Sequence, residues 1–187
     1  MSIKATFSTA AIAGIFFASS ANASLELDTT HLKRAEDLVA LIRPEVSTYY
    51  GLKKNAGDSY EKGKIGIGVK DCLLAIDINL IREAQIKVIS DVLTNDEIDV
   101  ATSFYRSTTG QKYLATVDAY LAQLPDANAP PPSDPPLTKE DKIRVAAFAK
   151  TRAKVLLAPD SKEMQAARAK YIGPVIASWF QSCKATQ

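Results

Sequence analysis

Apolar positions along this chain recur mostly at steps of three and four, the period of a helix rather than of a strand. From Thr30 onward, Leu32, Ala35, Leu38, Val39, Ile42, Val46 and Tyr49 fall on one helical face, and Asp28, Thr29 or Thr30 is placed to cap its start. Pro44 sits inside this pattern. It lacks the N–H of an i→i−4 bond and crowds the preceding turn, so a kink or break is expected near Arg43. Residues 51–64, rich in Gly, Lys, Asn and Ser, read as a loop. Ile65-Gly66-Ile67-Gly68-Val69 alternates with period two but has no partner run to pair with, and is read as the lead-in to a helix. Asp71 to Leu93 is apolar nearly all round its first half, which predicts one buried central helix with Arg82, Glu83, Lys87 and Asp91 on an emerging polar face.

Helix starts are marked by local chemistry. Thr94 and Glu97 form a capping box: the hydroxyl accepts the Glu97 N–H and the carboxylate reaches back to the Thr94 N–H. The helix it opens carries Ile98, Ala101, Phe104 and Tyr105. At Ser107-Thr108-Thr109-Gly110 a hydroxyl can end that helix and cap the next, which carries Tyr113, Leu114, Val117, Tyr120, Leu121 and Leu124. Six of nine prolines then fall between Pro125 and Pro136, predicting a stiff linker over 125–136. Thr138 and Asp141 restart a helix with the same kind of box. A shift of 44 residues lays Leu93-Thr94 on Leu137-Thr138, Glu97 on Asp141, Phe104 on Phe148, Arg106 on Lys150 and Ser107 on Thr151, a degenerate helix-pair repeat that fades where Gly110 meets Lys154. Asp160 or Ser161 caps a last helix whose stripe runs through Met164, Ala167, Tyr171, Val175, Trp179 and Cys183, interrupted at Gly173-Pro174. The expected fold is all-α, a bundle of about five to seven helices.

The first 23 residues change the compartment. Lys4, the apolar run Ala10 to Ala18, and Ala21-Asn22-Ala23 read as a secretory signal peptide, leaving a chain that starts at Ser24. The apolar run is too short for a membrane span, which takes ~20 residues. Residues 24–187 then form a single helical domain with the linker inside it, working in the periplasm or secreted, with no integral span. Without Lys4 the chain holds 22 basic and 21 acidic residues, a balance with no electrostatic footprint for nucleic acid. Lys142, Arg144, Lys150, Arg152 and Lys154 make the largest local basic excess, read as a solvated helix face. Cys72 and Cys183 are the two cysteines, and an oxidising compartment favours pairing them; two buried free thiols are the alternative.

Candidate chemistry is sparse. His31 is the sole histidine, so neither a zinc site nor a Ser-His-Asp or Cys-His centre is suggested. Gly63 to Gly68 lacks the Gly-Lys-Ser/Thr of a phosphate loop. Asp96, Glu97, Glu140 and Asp141 could pair for glycoside hydrolysis, but each already suits a helix N-terminus. No catalytic residue, cofactor or metal is assigned.

One segment has a family likeness. Leu93-Thr94, Glu97, Phe104-Tyr105-Arg106-Ser107, Gly110 and Lys112 resemble the core motif of the bacterial family catalogued as domain of unknown function 2059, over about 22 residues. Thr108 stands where that family usually has Pro, a residue pre-organised for the first helical position. The resemblance implies an all-helical protein exported by Gram-negative bacteria and implies no activity. Read physically, the motif is a helix corner in which Ser107 caps, Gly110 permits close approach and Phe104 is expected to be buried. The expected role is non-catalytic binding to an envelope protein or support of the envelope. The alternatives are a hydrolase of peptidoglycan or glycan using paired carboxylates, and a carrier of a small apolar ligand. The oligomeric state is left open.

Overall fold

A computed structural model describes residues 29–123 and 137–185. The expected signal peptide, the Asp28 cap, Leu124 and the linker over 125–136 lie outside the described residues. The described residues form an all-α fold of nine helices: α1 (Thr29–Ile42), α2 (Pro44–Glu61), α3 (Ile67–Leu74), α4 (Ile78–Val92), α5 (Asn95–Arg106), α6 (Thr108–Gln123), α7 (Lys139–Ala149), α8 (Arg152–Leu156) and α9 (Lys162–Ala185).

The break at Arg43 is where Pro44 requires it. Arg43 takes a left-handed conformation (φ 49°, ψ 51°) and Pro44 opens α2 at its first position. Two expectations are corrected. Residues 51–61 are not loop but the second half of α2, because Ala56 is buried against Val69, Leu73 and Cys183 and that packing outweighs the polar composition. The single helix over 71–93 is two helices, α3 and α4, because Asp77 turns extended and accepts the Asn79 N–H at 2.9 Å, starting α4 afresh. These changes, and the separate short α8, raise the helix number above five to seven. Gly66 is extended and α3 begins at Ile67, so the period-two run does lead into a helix. Gly173-Pro174 does not interrupt α9, which runs through Pro174 from a start capped by Ser161.

Helix α4 is central, packed against α1, α2 and α9. Val88 and Ile89 on it are buried with Leu38 and Val39 of α1, Ile98 of α5, and Met164 and Ala167 of α9; Ile81, earlier on α4, is also fully buried. Residues 137–185 therefore share the core of the first half. A smaller apolar cluster of Ala56, Val69, Leu73 and Cys183 lies at the other end of α9. There a Cys72–Cys183 disulfide joins α3 to α9 with Cα atoms 5.6 Å apart, and the Trp179 indole N–H donates to the Cys72 carbonyl at 3.1 Å.

Candidate functional site

The residues of the family-like motif meet at the corner between α5 and α6. Both halves of the Thr94–Glu97 box form: the Thr94 N–H donates to Glu97 Oε2 at 2.8 Å and the Glu97 N–H to Thr94 Oγ1 at 3.4 Å. Leu93 is buried beneath it. One extended residue, Ser107, separates the two helices; it donates to the Phe104 carbonyl at 2.6 Å and accepts the Gly110 N–H at 3.1 Å. A Cβ at Gly110 would lie 2.6 Å from Tyr105 Cα and 2.8 Å from the Phe104 carbonyl carbon. Glycine is required there because the first turn of α6 lies directly on the last turn of α5. Tyr105 is buried, whereas Phe104, expected to be buried, is half-buried. Burial pushes the Tyr105 phenol above its ordinary pKa, with Tyr113 adding to the effect.

The α7–α8 corner repeats this geometry. Thr138 and Asp141 form the second box, at 3.1 Å in both directions. Thr151 donates to the Phe148 carbonyl at 2.7 Å and accepts the Lys154 N–H at 3.3 Å, as Ser107 does with Phe104 and Gly110. The two corners pack on each other reciprocally. Arg152, at the start of α8, pairs with Glu97 at 2.9 Å; Thr109 and Lys112, in the first turns of α6, both reach Asp141 at 2.6 Å. Each box carboxylate thus caps its own helix and is held by the start of the opposite unit's second helix. The Lys112 ammonium, with the Thr109 hydroxyl and the Thr138 N–H, holds the Asp141 carboxyl well below the usual carboxylate range. Asp141 stays ionised with its acceptors occupied, which suits structure better than general acid work. Phe104 stacks on Phe148, and Tyr105 and Tyr113 pack around the pair.

His31 is also engaged. Nε2 donates to the Ser90 carbonyl at 2.8 Å and Nδ1 lies 2.7 Å from the Asn95 side-chain oxygen, tying α1 to the end of α4 and the start of α5. Among the described residues, no three His, Cys, Asp or Glu side chains gather as a metal site would require.

A second site was not visible in the sequence. Helices α2, α3 and α9 enclose an open groove of about 560 Å³. Leu52 and Ala56 of α2 and Leu73 of α3 form one wall; Ile176 and Phe180 of α9 form the other. Gly173 and Ala177, four apart on α9, and Ala56 opposite them are small, and that is why the helices leave space between them. Asn55, Ser59 and Lys64 supply polar groups at the rim. The disulfide and Trp179 brace the end of the groove, since Cys72, Cys183 and Phe180 belong to one apolar cluster. The only sequence signals were the spacings 52/56 and 173/176/177/180, and the first was hidden by a loop-like composition.

No protein-family model, no curated protein and no solved structure matches this chain.

Proposed function

We propose that this is an exported, non-catalytic binding protein of the bacterial envelope, and that it binds a small ligand with an apolar body in the groove between α2, α3 and α9. The observation that carries the reading is the groove itself. Its volume of about 560 Å³ falls in the ~300–1,000 Å³ range of small-molecule sites, and its walls are apolar with polar groups confined to the rim. This favours the carrier among the three roles expected from the sequence. Among the described residues, the large exposed apolar side chains fall one to a helix, from Tyr60 on α2 to Val155 on α8, and no single helix presents an exposed apolar stripe of them. The prominent carboxylates Glu97 and Asp141 are held in caps and ion pairs, which weighs against the hydrolase. Export is supported by the signal-like first 23 residues, by the disulfide, and by the resemblance of Leu93 to Leu114 to the domain of unknown function 2059 family.

The test is displacement of an environment-sensitive apolar dye from the purified protein by a series of n-alkanols. Affinity should rise about fourfold per methylene until the groove is full, the effect of burying ~0.8 kcal/mol per CH2. Ala177→Trp, at an exposed position on the groove wall, should abolish dye binding with the circular dichroism spectrum intact. Absence of dye and alkanol binding, or undiminished binding in Ala177→Trp, rejects the groove as the site.

A further inference from the structure

The rim of the groove carries charge of one sign, placed by the turn that ends α2. Gly63 has φ 63°, its N–H donates to the Tyr60 carbonyl at 2.9 Å, and the Lys64 N–H donates to the Ser59 carbonyl at 2.8 Å. This 6→1 and 5→2 pair is a Schellman closure, which ordinarily sets an apolar side chain against the last turn of the helix. Here the residue in that position is Lys64, beside Ser59 on the groove rim. Of the neighbouring lysines, Lys54 pairs with Asp58 at 2.7 Å, Lys53 lies over the Tyr49 ring and Lys70 lies over the Tyr60 ring; Lys62 makes no ion pair among the described residues, but it does not line the groove, whereas Lys64 does. Lys64 makes no ion pair among the described residues. On α9, Lys184 Nζ sits 4.5 Å from the centre of the Phe180 ring and is engaged there in the same way. Of the acids on this end of α2, Asp58 is held by Lys54, and Glu61 lies on the exposed last turn. An apolar trough bordered by an unpaired ammonium complements a molecule with a hydrocarbon tail and a negative end.

Resting on the groove as the binding site, we infer that its ligand is a single-chain amphiphile with an anionic head group, the head on Lys64 and the tail along Leu73, Ile176 and Phe180. Asn55 and Ser59 add neutral hydrogen-bonding groups at the same end.

The experiment compares dodecanoate, dodecanol and dodecyltrimethylammonium, each below its micellar concentration, as competitors for the dye on wild type, Lys64→Glu and Lys64→Arg. Dodecanoate should bind about fivefold tighter than dodecanol, in line with a partly exposed ion pair, and the trimethylammonium compound weakest. Lys64→Glu should erase or invert that preference while leaving dodecanol within about twofold, and Lys64→Arg should keep it. Inorganic phosphate, as a head group without a tail, should displace nothing; displacement by phosphate would mean a plain anion site and overturn the inference. Equal affinities for dodecanoate and dodecanol, unchanged in Lys64→Glu, would also overturn it while the groove reading stands. Failure of all three amphiphiles to compete would remove both.

Discussion

Phe104 and Phe148 stack face to face, their ring centres 3.9 Å apart and their planes within 9° of parallel. They are equivalent members of two units offset by 44 residues, so the centre of the reciprocal contact is a residue meeting its own counterpart. Such self-complementary contact is the signature of a two-fold interface, here within one chain. The energetic expectation is unequal. Phe148 is buried, and Phe148→Ala should destabilise by ~3–5 kcal/mol, as large core truncations do. Half-buried Phe104 should lose less on truncation. The double variant should fall short of additivity by ~0.5–1.5 kcal/mol, the coupling of an aromatic pair, measured by urea unfolding of all four proteins.

Gly110→Ala should reverse the usual sign. Alanine normally stabilises a helix by ~1 kcal/mol over glycine. At Gly110 the new Cβ meets backbone of Phe104 and Tyr105 that cannot yield without moving α5, so a loss of ~1–3 kcal/mol is expected. Gly51→Ala, also helical but with nothing within 4 Å of its Cβ, is the matched control and should gain ~0.4–1 kcal/mol. Equal effects at the two sites would contradict the close approach at the corner.

Acid should act through Asp141. Its folded-state carboxyl titrates below the ordinary ~3.9, so as pH falls the unfolded chain takes up the proton first. That contribution is fully present above about pH 5 and is lost as pH drops below about 4 toward the folded-state value. Wild-type melting temperature should decline over this acid range. Asp141→Asn should melt lower at pH 7 and decline less steeply in acid, and Lys112→Met should share the shallower slope. Parallel melting profiles for wild type and Asp141→Asn would show that the carboxylate contributes nothing.

Removing the disulfide should be costly. It links residues 111 apart, a separation for which chain entropy predicts at most ~4–5 kcal/mol before any compensation in the unfolded state. Cys72→Ser with Cys183→Ser should lower stability toward that limit and weaken dye binding, because the same bond holds the α9 wall of the groove. Full retention of dye binding in the double variant would separate the groove from the bridge.

Features decided by neighbours in sequence were legible. The Thr94–Glu97 and Thr138–Asp141 boxes, the Ser107 cap and the break before Pro44 all depend on groups within four residues of one another. Features decided at long range were not. Composition over 51–64 suggested a loop, while the fate of that segment rests on Ala56 meeting Leu73 and Cys183. The cations that hold Glu97 and Asp141 come from residues 55 and 29 positions away in sequence, and no local pattern points to them. The groove was invisible for the same reason: its two walls are a hundred residues or more apart along the chain, and nothing local to Ala56, Gly173 or Ala177 shows that these small residues face one another.

Helix α9 touches both apolar clusters, with Met164, Ala167 and Ile172 in the larger and Cys183 in the smaller. A shared strut of this kind merges their melting into one cooperative event. Protection of amides against hydrogen exchange should then be nearly uniform along α9, and should reach into α3 although that helix is only eight residues long. Reduction of the bridge cuts the strut's hold at one end only. The unfolding curve of the reduced protein should split, with α3 and the end of α9 loosening first while the core around α4 stays closed.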